Sequence, residues 1–230
     1  MTLTIIVPTF NEARTVETLL QKVLAIKFPI AYELIIVDDH SSDPTYTIER
    51  RIGEMADGIR VTTLRNHTNQ GKGSCIRQGL RHATGDMVIV QDGDLEYDPR
   101  EIPVLLRPIL EGRVTVVFGS RFVSRRWPIG MAWPNYVANR VLTRLANCLY
   151  GLSLTDLMGC YKIMPRELLQ GLDLQARRFE FDLEVAAKLG KRRIPITELP
   201  ITYSARTWRE GKKIGARDFV MAIWTLLRYR

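Results

Sequence analysis

Short β-branched runs recur through the first half of this chain, each followed by a polar turn and then by apolar residues at helical spacing. That alternation constrains the fold more than any other feature. Leu3 to Val7 ends at Pro8, and Asn11 opens a helical pattern through Val16, Leu19, Leu20, Val23 and Leu24. Leu34 to Val37 is a second run, with Asp43 or Ser42 placed to cap the next helix. Ile59 to Leu64 is a third, followed by Asn69-Gln-Gly-Lys-Gly73, a helix through Ile76, Leu80 and Ala83, and Gly85 as its closing residue. Met87 to Val90, a helix over Ile102 to Leu110 and a strand over Val114 to Phe118 complete the series. The pattern predicts an α/β, Rossmann-like single domain whose central sheet is mainly parallel and flanked by helices.

Beyond Gly119-Ser-Arg121 the texture changes. Residues 123 to 134 read as a loop with Arg125, Arg126, Trp127 and Trp133, and Ala138 to Leu149 as a helix. A strand near Tyr161 to Met164, a helix near Phe181 to Leu189, a strand pair around Ile194 to Tyr203 and a terminal helix from about Asp218 follow. No flexible linker separates the two parts, so one continuous domain is expected.

The chemistry should sit where strands end. In open α/β sheets ligands bind outside the carboxyl ends of the strands, and the fourth run is followed there by Asp92, Asp94 and Glu96. Carboxylates this close repel unless a cation holds them, and hard oxygen donors suit Mg²⁺ or Mn²⁺, which also takes up substrate phosphates. The competing reading is a solvated acidic turn that caps the next helix through Asp98 and Pro99. Asp38-Asp39 and Pro8-Thr-Phe-Asn-Glu12 lie at two further strand ends, where Glu12 would accept from a ribose or base and is otherwise a first-turn helix carboxylate.

Composition narrows the partners. A net charge of +8 favours an anionic ligand or surface. Cys75, Cys148 and Cys160 lack metal-ligand spacing and read as reduced thiols of a cytosolic protein. The opening residues show no secretory signal, and no apolar stretch reaches the roughly 18 residues of a spanning helix.

Taken together, Ile6-Val-Pro-Thr-Phe-Asn-Glu12, Val37-Asp-Asp-His-Ser-Ser42, Asn69-Gln-Gly-Lys-Gly73, Asp92-Gly-Asp94 and Gly119-Ser-Arg121 resemble the ordered signature of the inverting GT-A glycosyltransferases of family 2. Asp156-Leu-Met-Gly-Cys-Tyr-Lys162, Arg178-Phe-Glu-Phe181 and Glu210-Gly-Lys-Lys-Ile214 extend the resemblance to the dolichol-phosphate (polyprenol-phosphate) mannose synthase branch. The resemblance implies a GT-A domain with a nucleotide-sugar-binding half over 1–122 and an acceptor-binding half over 123–230. It implies a base and ribose site at Pro8, Phe10, Glu12, Val37 and Asp39, and a diphosphate approached by Asp92, Gly93 and Asp94. Asp94 and Glu96 would hold Mg²⁺ or Mn²⁺, although the family often has glutamine at the second position. Arg121, Arg178, Arg206 and Lys212 or Lys213 would meet the phosphates, surface charge being the competing reading, and Arg121, Asn139 and Arg140 the acceptor phosphate. Asp92, Asp94 and Arg121 are the candidate catalytic residues.

The expected reaction moves a hexose from GDP-mannose or a UDP-sugar to a polyprenyl or dolichyl phosphate. A phosphate acceptor is ionised near neutral pH and needs no strong base, whereas a sugar hydroxyl, the alternative acceptor, would. Trp127, Trp133, Tyr136 and the apolar run after Asp218 suit an interfacial surface, which implies peripheral attachment to the cytosolic face of a membrane. Core packing is the other reading of the terminal helix. A nucleotidyltransferase would open with a glycine-rich phosphate loop, which Pro8 to Glu12 is not. A nucleic-acid-binding module would need aromatic and basic residues on an exposed sheet, so no nucleic-acid partner is expected.

Overall fold

The β-branched runs become strands because both faces of a central sheet bury them. In the computed structural model, which describes residues 1–124, 130–205 and 216–230 (backbone alone for 216–218), they form β1 (Thr2–Thr9), β2 (Ala31–Asp38), β3 (Arg60–Arg65) and β4 (Met87–Val90). Helices α1 (Val16–Leu24), α2 (Thr45–Met55) and α3 (Lys72–His82) connect them. The rest comprises α4 (Ile102–Leu110), β5 (Val117–Ser120), α5 (Trp133–Tyr150), β6 (Lys162–Pro165), α6 (Arg166–Gly171), α7 (Phe181–Lys191), β7 (Thr197–Pro200) and α8 (Ala216–Arg228).

The strands form one seven-stranded sheet in the order β3-β2-β1-β4-β6-β5-β7. β1 pairs in parallel with β2 and β4, β2 with β3, and β5 with β7. β6 alone among the described strands runs antiparallel, wedged between β4 and β5. Strand order reverses at β1: the chain steps outward to β2 and β3, then crosses back to β4 on the other side. A sheet opens a crevice at such a switch point, outside the carboxyl ends of β1 and β4.

Local physics explains the helices. Val16, Leu19, Leu20 and Val23 give α1 one apolar face, fully buried, and Ile102, Leu105, Leu106 and Ile109 do the same for α4. Asp98 accepts from the Arg100 N–H and Pro99 follows it, as the start signal predicts.

Several expectations are corrected. Asn11 does not start a helix; its φ of 53° makes it a turn residue, and α1 begins at Val16. Gly85 does not close α3, which ends at His82; its N–H donates instead to Glu33 and Thr4. β3 is a partly exposed edge strand, not a buried one. The fifth strand lies three residues later than expected, and α5 starts at Trp133, taking Trp133 and Tyr136 out of the loop. In place of a strand pair around Ile194 to Tyr203 there is the single strand β7, whose partner is β5.

Candidate functional site

The loops leaving β1, β2 and β4 meet at the switch point. The Asp39 N–H donates to the Thr9 carbonyl (2.8 Å) and the Gln91 N–H to the Ile6 carbonyl (2.9 Å), which prolongs the ladder into the loops. The loops after β1 and β2 are stitched together: Asn11 N–H donates to Ser41 Oγ (2.9 Å), Glu12 N–H to Thr45 Oγ1 (2.8 Å) and Ser42 N–H to Asn11 Oδ1 (2.9 Å). Glu12 is buried, its Oε2 accepting from Thr15 Oγ1 at 2.9 Å, and Thr15 also reaches the Gly93 carbonyl at 3.3 Å. Glu12 and the aspartate loop are thus brought together, with Pro8 and Phe10 beside them. A Cβ on Gly93 would come within 2.8 Å of Thr9 Cγ2, so glycine there lets the two loops approach.

Two expected nucleotide ligands have other employment. Val37 is fully buried and pairs in register with Pro8, so its side chain is core and only its backbone borders the crevice. Asp39 is 3% exposed; its carboxylate accepts from Asn66 Nδ2 (2.7 Å) and from the Gln70 and Gly71 N–H groups (2.8 and 2.7 Å). It pins the loop before α3, and a carboxylate with about four acceptor directions keeps little spare capacity.

The aspartate loop separates its two aspartates. Lys72, at the start of α3, sets its Nζ 2.6 Å from Asp92 Oδ1. Burial opposes charge on Lys72, but Asp92, with Cys160 and Asp182, keeps its pKa well above the ordinary value. Asp94, buried, accepts from the Glu96 N–H at 3.0 Å, and Glu96 Oε2 accepts from the Tyr203 hydroxyl at 3.1 Å. The Ser204 N–H also donates to the Glu96 carbonyl (2.9 Å), tying the chain after β7 to this loop. Among the described residues no set of three or more His, Cys, Asp or Glu side chains is gathered as a metal cage. Two carboxylates on one loop, Asp94 and Glu96, fit a Mg²⁺ or Mn²⁺ that draws its remaining oxygens from water and a diphosphate.

Arg121 leaves β5 and turns inward. Its Nε and Nη2 donate to Asp156 Oδ2 and Oδ1 at 2.7 and 2.8 Å, its backbone N–H donates to Asp156 Oδ2 at 3.0 Å, and its guanidinium lies 4.9 Å from the Tyr203 ring centroid. Burial alone would raise the Asp156 pKa, but the Arg121 charge outweighs it and holds the carboxyl below its usual range. Asn139 also donates to Asp156 (2.8 Å) and is 4% exposed. Asn139 therefore belongs to a buried network and does not present its amide to an acceptor, contrary to expectation. Arg140 is partly buried, donates to the Thr155 carbonyl at 3.3 Å and flanks Phe122. Arg178 is exposed on the segment packed against Gly71. Arg206, Lys212, Lys213 and Trp127 lie outside the described residues.

Residue-level reading of the sequence passed over Lys72, Asp156, Asp182, Lys162 and Tyr203. Lys72 and Asp156 stood inside quoted motifs without a role; Asp182 and Tyr203 carried no local signal at all.

Helix α8 exposes Val220, Met221, Trp224 and Leu227, and α5 exposes Trp133, Val137 and Val141 at four-residue spacing. Among the described residues no helix is long and apolar enough to cross a membrane.

Comparison with known proteins matches residues 4–172 to "Glycosyl transferase family 2". A dolichol-phosphate mannosyltransferase of Pyrococcus furiosus is 26% identical over 237 residues, covering 100% of this chain and 64% of the relative. The glycosyltransferase AglJ of Haloferax volcanii is 30% identical over 203 residues, covering 88% of this chain and 63% of the relative. A dodecaprenyl-phosphate galacturonate synthase of Rhizobium johnstonii is 27% identical, covering 99% of this chain and 68% of the relative. The chain thus spans slightly under two thirds of the first two relatives. In fold, it matches glucosyl-3-phosphoglycerate synthase from Mycobacterium tuberculosis, solved with Mg²⁺ and UDP, at a TM-score of 0.74 and 21% identity, covering 99% of this chain and 79% of that one.

Proposed function

Because the chain belongs to glycosyl transferase family 2, we propose that it is an inverting glycosyltransferase that moves a hexose from a nucleotide sugar to a polyprenyl phosphate. The observation that carries this reading is the carboxylate loop at the switch point, where Asp94 and Glu96 stand beside the β1 and β2 loops and face the Arg121–Tyr203 stack. Residues 1–122 then form the donor half and 123–230 the acceptor half. Base and ribose fit against Pro8, Phe10, Glu12 and the Val37 and Asp39 backbone, with the diphosphate towards Asp94.

In this account the acceptor phosphate oxygen attacks the anomeric carbon from the face opposite the leaving diphosphate, forming one C–O bond as the other breaks, with inversion. A Mg²⁺ or Mn²⁺ held by Asp94 and Glu96 would neutralise charge on the diphosphate when bound. Tyr203 keeps the Glu96 carboxylate in place. Arg140, Arg178, Arg206 and Lys212 supply cationic donors for phosphates, and Arg121 those N–H groups not spent on Asp156.

The names of the Pyrococcus and Rhizobium relatives support a polyprenyl-phosphate acceptor, and the M. tuberculosis complexes with UDP and Mg²⁺ or Mn²⁺ support a nucleotide donor with a divalent metal. The apolar stripe of α8, closed by Arg228 over Trp224 at 5.1 Å, suits peripheral attachment to the cytosolic leaflet where such a lipid resides.

The test is thermal stability against GDP, UDP, GDP-mannose and UDP-sugars, each with Mn²⁺ and with EDTA, repeated on Asp94→Ala. One nucleotide should raise Tm in a metal- and Asp94-dependent way and so name the donor. No shift with any nucleotide contradicts the proposal.

A further inference from the structure

Helix α7 is buried on almost every side, so a charge on it needs partners within the fold. Glu184 is fully buried there. Its Oε2 accepts from the Ala176 N–H at 2.7 Å, both of its oxygens accept from the Gln175 N–H at 2.9 Å, and its Oε1 lies 2.7 Å from Lys188 Nζ. Burial alone would raise the pKa, but these donors and the Tyr229 hydroxyl hold the carboxyl below its usual range. One carboxylate thus fixes the segment that follows α6.

That segment lies against the N-terminus of α3. The Arg177 carbonyl accepts from the Ser74 N–H at 3.0 Å, and the Leu174 carbonyl from Arg77 Nη1 at 3.2 Å. Packing is closest at two glycines: a Cβ on Gly71 would stand 2.5 Å from the Arg177 carbonyl oxygen, and one on Gly73 2.6 Å from that of Ala176. The same turn gives the Gln70 and Gly71 N–H groups to Asp39, and Lys72, between the glycines, reaches Asp92 Oδ1 at 2.6 Å. A displacement of residues 175–177 would therefore be felt at both aspartate loops of the site.

The end of α8 meets the same carboxylate. The Tyr229 hydroxyl donates to Glu184, its ring centroid lies 4.8 Å from Lys188 Nζ, and Lys191 Nζ donates to the Arg230 carbonyl at 3.3 Å. Resting on the transferase reading above, we propose that Glu184 is a positioning residue for the donor site and that Tyr229 ties the terminal helix to it. Neither side chain touches a nucleotide. The carboxylate sets where residues 175–177, and with them α3, stand against Asp39 and Asp92, and the tyrosine hydroxyl keeps the carboxylate in that pose.

The experiment is calorimetric titration of the whole chain with UDP and with GDP, each with Mn²⁺, at a temperature where circular dichroism shows every variant folded. For the nucleotide that the wild type binds, Glu184→Gln should raise Kd about tenfold and Tyr229→Phe about threefold, the scale of lost hydrogen bonds to a charged group. The double variant should bind no more weakly than Glu184→Gln alone, because the tyrosine acts through the glutamate. A merely structural carboxylate would lower Tm on substitution and leave Kd unchanged, and that result overturns the proposal. So does a double variant whose two effects multiply. Should Glu184→Gln not fold, Tyr229→Phe is compared with Tyr150→Phe, which frees α8 at the Leu226 carbonyl instead of at Glu184. Weaker binding by Tyr229→Phe alone supports the proposal, and any other pattern contradicts it. Failure of the transferase reading looks different: the wild type then binds neither nucleotide, and the inference falls with it, whereas a wild type that binds beside variants of equal affinity sinks the inference alone.

Discussion

Arg121 grips Asp156 with two guanidinium N–H groups, at 2.7 and 2.8 Å, 35 residues away in the chain and inside a pocket that leaves Asp156 only 1% exposed. An arginine expected to greet phosphates is thus first a structural partner, and its removal and that of Asp156 should differ in kind.

Asp156→Ala leaves a buried guanidinium without its counter-charge and should cost about 3–5 kcal/mol of stability in denaturant titration. Arg121→Met together with Asp156→Leu should recover most of that loss while remaining inactive. A single Asp156→Ala protein as stable as the wild type would contradict the assigned ion pair.

Glu49, on α2 near Thr9, Asp38 and Asp43, is completely buried, and among the described residues neither of its carboxyl oxygens has a hydrogen-bond partner. The nearby Thr9 hydroxyl donates to the Val37 carbonyl. Burial, aided by the charges of Asp38 and Asp43, pushes its pKa from 4.5 up to about 8. In the unfolded chain the group ionises near 4.5, so its contribution is fully retained below that pH and lost as pH rises towards 8. At pH 7 that loss is roughly 3 kcal/mol. Glu49→Gln should therefore raise stability by about 1–3 kcal/mol at pH 7 and leave it nearly unchanged at pH 4. Equal effects at the two pH values, measured by urea titration, would rule out the ionisation account.

Tyr203→Phe removes the hydroxyl that donates to Glu96 at 3.1 Å but keeps the ring on Arg121 and Tyr97. Stability should change by about 0.5–1.5 kcal/mol, the scale of one hydrogen bond, while the metal-dependent Tm increment with nucleotide falls. An unchanged increment would release Glu96 from the metal role.

The exposed stripe of α8 makes a surface prediction. Met221→Asp with Trp224→Asp should shift the protein to the supernatant in sedimentation with anionic vesicles, without altering the nucleotide-dependent Tm shift. Retained vesicle binding would move the contact elsewhere.

Much of the first 122 residues was legible locally. The strand Met87–Val90 and the helix Ile102–Leu110 fall where period and caps put them, because the strand is buried on both faces and the helix along one continuous apolar face. The insertion of antiparallel β6 between β4 and β5 was not legible, since nothing in a four-residue run states its neighbours. The same blindness hid the site's support. Lys72 meets Asp182, 110 residues further on, and Asp39 spends its carboxylate on a loop some 30 residues away. Short-range acidity announced where the site is; long-range pairing decides which acid is available to a ligand.

The most direct test of the account is transfer itself. Purified protein with Mn²⁺, vesicles containing polyprenyl phosphate and a radiolabelled panel of GDP- and UDP-sugars should convert one donor into organic-extractable, lipid-linked sugar. Asp94→Ala or EDTA should abolish that product. Lipid product formed equally well by Asp94→Ala, or label passing only to hydroxyl acceptors and never to the lipid phosphate, would contradict it.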